Sequence, residues 1–158
     1  MGPDQPTLEV RDWLARSGWT PGRDIGEQAE ELIRVRMQDA ERQGVPLTPV
    51  PAAVRIVHTF GLLRLDHPTS PRFAWVMKPT IGYEGDAEEI QELASGLGEQ
   101  LFPVGYEAAE GGLLLVDEKG RFFHLHHTGG YYLGQNEYDA FSRFLLGVDD
   151  PDAEDYFV

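Results

Sequence analysis

Residues 113–126, LLLVDEKGRFFHLH, constrain the fold most, because two apolar runs flank a four-residue turn. Asp117 and Gly120 occupy the outer places of a type I turn, with Gly120 in the left-handed conformation. Successive side chains of a strand point to opposite faces, so His124 and His126 share one face of this hairpin. The opposite face carries the apolar residues Leu113, Leu115, Phe123 and Leu125. The sequence therefore predicts an antiparallel hairpin of defined register.

The rest of the chain shows helical spacing first and strand patterns later. Apolar residues at helical spacing predict helices within residues 7–17, 24–44, 50–61, 86–98 and 136–147. Extended runs predict strands at 62–67, 72–79, 101–108, 111–127 and 131–134. This order favours one α+β domain, with its core at about 13–147 and an acidic tail at 148–158. We expect the helix beginning near Asp24 to pack on the Leu115 and Phe123 face through Leu32, Ile33 and Met37.

The charge of the chain is its largest departure from average composition. The 158 residues include 27 Asp and Glu against 13 Lys and Arg, giving a net charge of −14. Such a surface repels phosphate backbones and anionic lipids, which argues against nucleic acid and membrane partners. A negative surface is compatible with a basic protein partner, or with a role in keeping the protein soluble and no more. The absence of cysteine, of a signal-like start and of long apolar runs indicates a cytoplasmic protein, which we expect to be monomeric.

The three closely spaced histidines raise the question of a metal. A His-x-His pair such as His124 and His126 can bind zinc only with a further ligand, and His58 and His67 lie at no recognisable spacing. We therefore expect no metal, no cofactor and no catalytic residue, with both rings on a half-exposed face and a pKa near the ordinary value. By the same alternation, His127 points to the other face. An enzyme that uses a metal or carboxylates on the His124 and His126 face stays an alternative.

The order of several short motifs resembles the SUKH superfamily, and within it the third SUKH branch of bacterial immunity proteins. The motifs are GWTPGR, FGLLRLD, FPVG, LLLVDEKGRFFHL and EYDAFSRFLLG, and the resemblance covers about residues 13–147. It implies an α+β fold with a mixed, largely antiparallel sheet packed by helices, and a non-catalytic protein that neutralises a toxin of a polymorphic toxin system. The motif positions are interpreted as fold determinants: Trp19, Gly22, Arg23, Gly61, Gly105, Asp117, Gly120 and Arg121.

Two acidic clusters are the candidate contact surfaces for a basic, nucleic-acid-acting or nucleotide-acting toxin. One lies around the inserted helix, the other in a tail that we expect to be mobile and able to order on a partner. The candidate residues are Glu84, Asp86, Glu88, Glu89, Asp149, Asp150, Asp152, Glu154 and Asp155, with Tyr131 and Tyr132 as aromatic anchors. The alternatives are a surface that only keeps the protein soluble, and an acidic scaffold protein without a toxin partner.

Overall fold

A computed structural model describes residues 5–158 of the chain. The helices are α1 (Leu8–Arg16), α2 (Glu27–Arg42), α3 (Pro51–Phe60), α4 (Asp86–Leu97) and α5 (Glu137–Leu146), followed by a short 3-10 helix (Ala153–Tyr156). The strands are β1 (Arg64–Asp66), β2 (Ala74–Val76), β3 (Leu101–Glu107), β4 (Leu113–Asp117), β5 (Phe122–His126) and β6 (Gly129–Gly134). The predicted α+β class is confirmed.

The helices begin where the local sequence offers partners for free amide groups. The Thr7 side chain accepts a hydrogen bond from Val10 N at 3.2 Å at the start of α1. The Asn136 side chain does the same for Asp139 N at 2.8 Å at the start of α5, and Pro51 opens α3. These residues supply caps or a preset backbone angle at helix starts. Within residues 5–158, no helix is long and apolar enough to cross a membrane.

The six strands form one sheet in chain order, and every described pairing is antiparallel. The predicted hairpin register is confirmed, because Leu113 pairs with Leu125 and Leu115 pairs with Phe123. The mixed character that the resemblance implied is not seen among these strands. A bulge in β3 lies next to Gly105, where an added Cβ would stand 2.5 Å from the Val76 carbonyl oxygen. Close approach of the two strands therefore requires glycine at this position.

Helices α1, α3 and α5 cover the sheet face that carries Phe122. Phe141 of α5 is fully buried and meets Phe122 and Phe60 at ring-centroid distances of 6.3 and 5.2 Å. Trp13 of α1 and Trp75 of β2 complete the aromatic cluster around the same ring, at 5.7 and 6.0 Å. Phe141 therefore joins three helices to the sheet.

Helix α4 and the 3-10 helix cover the opposite face, which carries Phe123 and Leu125. Gly130 pairs with Leu125, and a Cβ at Gly130 would meet the Leu93 side chain of α4 at 3.2 Å. Phe123 packs on Tyr132, which stacks on Tyr156 of the 3-10 helix at 4.2 Å. Both faces of the central strands are thus buried.

The expected packing of α2 against the Leu115 and Phe123 face is wrong. Helix α2 packs mainly on α3, and α4 occupies the face in question. The reason lies in the buried stripe of α2, which includes a charged residue: Ala29, Ile33, Arg36 and Ala40. Arg36 forms an ion pair with Asp86, the first residue of α4, so this side of α2 faces the start of α4.

Candidate functional site

A buried ion pair joins α2 to the start of α4. Arg36 Nη2 donates to Asp86 Oδ2 at 2.8 Å, and the two side chains are 1% and 0% exposed. Gln43 Nε2 donates to the other Asp86 oxygen at 3.0 Å, and Tyr83 N donates to Oδ2 at 3.0 Å. Asp86 is therefore a poor candidate for toxin contact, which corrects the sequence-based interpretation. Its carboxylate is fully enclosed and already accepts three hydrogen bonds.

The remaining candidates around α4 lie on its exposed side. Glu84 precedes the helix and approaches Arg42 at 3.8 Å, while Glu88 and Glu89 lie in the first turn. Glu92, one helical turn after Glu88, is also exposed. These carboxylates form a solvated stripe opposite the apolar side on which α4 packs.

The acidic tail packs on the domain, which corrects the expectation of a mobile segment. Tyr132 N donates to the Pro151 carbonyl at 2.8 Å, and Tyr131 and Asp152 form an antiparallel bridge along the outer edge of β6. Ala153 is buried, and Val158 N donates to the Gly96 carbonyl of α4 at 3.0 Å. The tail therefore passes from the α5 side of the sheet, around its β6 edge, to α4.

This path divides the tail cluster between the two sides of the sheet. Asp149 and Asp150 follow α5, and the Asp149 carbonyl accepts a 3.5 Å hydrogen bond from Arg143. Glu154 and Asp155 are exposed on the 3-10 helix, which contacts α4. Part of the tail cluster therefore lies on an element that contacts α4, which carries the other acidic cluster. We define the acidic layer as Glu88, Glu89, Glu92, Glu154 and Asp155.

Tyr131 and Tyr132, the two predicted aromatic anchors, are both partly buried. Tyr132 is enclosed between Phe123 and Tyr156, with the Arg143 guanidinium 5.6 Å from its ring centre. The Tyr131 hydroxyl lies 2.6 Å from Thr128 Oγ1, at the turn between β5 and β6. Tyr132 therefore stabilises the tail, whereas Tyr131 lies beside the histidine run.

A cavity of about 370 Å³ opens between α5 and the end of the sheet. Trp75, Phe73 and Phe144 form apolar walls, and His124 and Arg143 also line the cavity. Glu107, Glu110, His67 and Asp150 add polar groups around it. An apolar cavity with a few convergent polar groups is typical of a site for a small ligand or a single protruding side chain.

His124 is only partly buried, as the sequence suggested, but its pKa is not near the ordinary value that was expected. Burial, followed by the charge of the neighbouring His126, lowers the pKa of His124 to about 4. Its Nε2 atom is buried without a hydrogen-bond partner in the described part of the chain, and a Cβ on Gly112 would lie 2.1 Å from it. Helix α5 covers this face, which alternation within the strand alone could not predict.

We expect stability to fall with acidification because of this ring. An unfolded His124 takes up a proton near pH 6.5, whereas the folded ring resists protonation until about pH 4. The unfolded state then binds more protons between these values, so the free energy of unfolding decreases as pH falls from 6.5 to 4, by about 3 kcal/mol at most. Urea unfolding of a His124→Leu variant across this range should show a shallower pH dependence. Equal slopes in the parent and in this variant would contradict the assignment.

His126 and His127 come together with Glu110, a residue that the sequence analysis missed. The three side chains bring one possible ligand atom each within 4.8 Å of one another. The rings of His126 and His127 lie 3.9 Å apart, since β5 ends at His126 and the chain turns, which corrects the expected opposite orientation of His127. In a meander the β3–β4 and β5–β6 loops share one end of the sheet, and this was the available signal for Glu110.

The motif positions make contacts within the fold. Arg23 donates to the Thr59 and Gly61 carbonyls at the end of α3, at 2.8 and 2.9 Å. The buried Asp117 carboxylate accepts hydrogen bonds from Lys119 N at 3.0 Å and Arg121 Nε at 2.7 Å. Trp19 stacks on Phe60 at 6.3 Å, and Gly22 and Gly120 have positive φ angles of 80° and 85°. These contacts close turns and join elements.

Comparisons with known proteins identify the family. A model of the SUKH-3 immunity protein matches residues 6–147, which is most of the 158 residues. Searches of curated proteins and of solved structures found no match. The resemblance drawn from the order of the motifs is thus confirmed. The chain belongs to the SUKH-3 immunity protein family.

Proposed function

We propose that this protein binds a cognate toxin domain of a polymorphic toxin system in the cytoplasm and neutralises it by stoichiometric occlusion. Membership of the SUKH-3 immunity protein family carries the proposal. In this view the protein acts as a monomer and performs no chemistry itself. The toxin is a nuclease, a deaminase or another domain that acts on nucleic acids or nucleotides, and such a domain needs a basic groove for its own substrate.

The acidic layer is the surface best suited to such a groove. Its five members are exposed carboxylates on two adjoining elements, α4 and the 3-10 helix. Their backbone positions are held by buried neighbours, because Ala87 and Ile90 anchor α4 and Ala153 anchors the 3-10 helix. Carboxylates on a firm support bind a cationic groove at a smaller entropic cost than carboxylates on a free tail. The acidic layer thus combines residues of the helix cluster with the part of the tail cluster that lies next to α4.

Long-range attraction should appear mainly in the association rate. Charge complementarity across an interface accelerates encounter by about 10- to 1000-fold, and salt reduces this gain as the Debye length shortens. The acidic layer should therefore be most important at low ionic strength. Dissociation depends more on buried anchors, which these exposed carboxylates do not provide.

We expect a variant with Glu88→Gln, Glu89→Gln and Glu92→Gln to associate with the toxin roughly tenfold more slowly at low salt. Adding Glu154→Gln and Asp155→Asn should slow association further and flatten its salt dependence. Stopped-flow or surface-plasmon measurements at two salt concentrations would provide the rates. Substitution is preferable to deletion of the tail, because deletion would also remove the packing of Ala153 and Tyr156.

The matched control removes three charges from other helices, with Glu9→Gln, Glu27→Gln and Glu41→Gln. These side chains are exposed on α1 and α2, so the net charge changes equally at a different place. An equal effect of both triple variants would attribute the attraction to net charge alone. If no variant changes the rate, the acidic layer serves solubility and the contact surface lies elsewhere, with the cavity beside His124 as the next candidate.

A further inference from the structure

We propose that Glu110, His126 and His127 form a binding site for one divalent transition metal ion of the zinc class. Two imidazoles and a carboxylate are a donor set that zinc accepts, with a fourth position left for water or another ligand. The three candidate donor atoms already lie within 4.8 Å of one another. The site is separate from the acidic layer, and the inference does not depend on the identity of the toxin.

The geometry of His126 favours this assignment. Its Nε2 atom faces the Glu110 carboxylate in direct contact, and its ring stands beside that of His127. Its Nδ1 atom lies 2.8 Å from Thr128 Oγ1, which in turn lies 2.6 Å from the Tyr131 hydroxyl. Thr128 N also donates to Nδ1 at 3.3 Å, and these contacts fix the orientation of the ring with Nε2 directed at Glu110.

The position of the Glu110 carboxylate is stabilised by hydrogen bonds within its loop. Glu110 lies in the β3–β4 loop, and Glu107 Oε2 accepts hydrogen bonds from Ala109 N at 2.6 Å and Glu110 N at 3.1 Å. Glu107 is only 9% exposed, so this anchor is part of the fold. The loop is thereby held where the Glu110 side chain reaches the histidines.

Only small movements separate the present arrangement from tetrahedral coordination. Zinc bonds of about 2.0–2.2 Å place neighbouring ligand atoms roughly 3.3 Å apart. Glu110 and His127 are exposed and can make this adjustment by changing side-chain torsions. The net charge of −14 also raises the local concentration of divalent cations.

His124 does not belong to this site, although it shares a strand face with His126. Its ring centre is 5.6 Å from that of His126, and its Nε2 faces Gly112 in the interior. The ring of His126 therefore lies closer to His127, the next residue in the turn, than to His124, which precedes it on the same strand face. The expectation of no metal rested on the pair His124 and His126, which is not the cluster that the fold assembles.

The test uses the full-length protein without a histidine tag, stripped with chelator and titrated with zinc chloride in a calorimeter at pH 7.5. We expect one zinc ion per chain, and roughly tenfold or greater weakening by each of His126→Ala, His127→Ala and Glu110→Gln. His67→Ala removes an imidazole away from this cluster and should leave the affinity unchanged.

The melting temperature of the protein with and without zinc is a second measurement, and it does not depend on the heat released on binding. Zinc should raise it in the parent and in His67→Ala, and should not raise it in His126→Ala. The proposal is overturned if the parent binds no stoichiometric zinc, or if the three cluster variants bind it like the parent. Either result leaves the toxin-binding proposal untouched, because association with the toxin is measured separately in chelator.

Discussion

Asp86→Ala should lower the free energy of unfolding by about 3–5 kcal/mol, because it leaves the Arg36 guanidinium buried without its partner. Arg36 is 1% exposed, and its Nε atom has no hydrogen-bond partner in the described residues. The remaining bond, from Nη1 to Asp39 at 2.7 Å, cannot replace the lost charge pair because Asp39 itself is shared with Arg42. Chemical denaturation monitored by tryptophan fluorescence would provide the value.

A reciprocal variant separates the ion pair from general packing. Arg36→Met keeps most of the side-chain volume and should also destabilise, since Asp86 then keeps only the hydrogen bonds from Gln43 and Tyr83 N. The double variant Arg36→Met with Asp86→Ala should be less destabilised than the sum of the two single variants, because neither charge is left alone. Glu88→Gln, two residues along α4 and exposed, is the matched control and should change stability by less than about 0.5 kcal/mol. Additive single effects would show that the two charges do not interact.

Phe141→Ala should destabilise the domain by about 3–5 kcal/mol, because the side chain is fully buried where α1, α3, α5 and the sheet meet. The lost ring leaves a cavity bordered by other rings, among them Phe60 and Phe122, that cannot close without moving a helix. Thermal unfolding and urea titration should agree on the loss if the domain unfolds in one step.

Leu146→Ala on the same helix provides the comparison. Leu146 is 67% exposed, so its truncation should cost less than about 0.5 kcal/mol. A large effect at Leu146, or a small one at Phe141, would mean that α5 presents a different side to the sheet. The result would then also question the cavity beside His124, which α5 encloses.

The elements and the hairpin register could be predicted from the sequence because both depend on local information. Alternation, turn residues and helical spacing fixed the pairing of Leu115 with Phe123 and the position of α4. The layer that covers each face could not be derived in this way, since β4 is apolar on both faces and β5 carries two histidines on only one of its faces. The lowered pKa of His124 could not be predicted for that reason, because its strand pattern is compatible with solvent or with a covering helix.

The candidate site was only partly predictable for a related reason. Asp86 was grouped with its acidic neighbours by sequence, although its partner Arg36 lies 50 positions away. The spacing of Ile33, Arg36 and Ala40 on one stripe was the one local signal that this arginine is buried. Glu110 lies beside the histidines because the β3–β4 and β5–β6 loops share one end of the sheet. This proximity depends on the topology of the whole sheet and cannot be derived from a single segment.

The path of the tail determines how a partner protein can bind the sheet. Proteins often recognise each other by adding a strand to an open sheet edge, where main-chain groups pair irrespective of sequence. Here Pro151 and Asp152 already occupy the β6 edge. At the opposite edge β1 is only three residues long, and the Asp66 carbonyl accepts a 2.8 Å hydrogen bond from Trp13 Nε1. Both edges of the sheet therefore offer few free main-chain groups, which favours recognition of a partner protein through side chains.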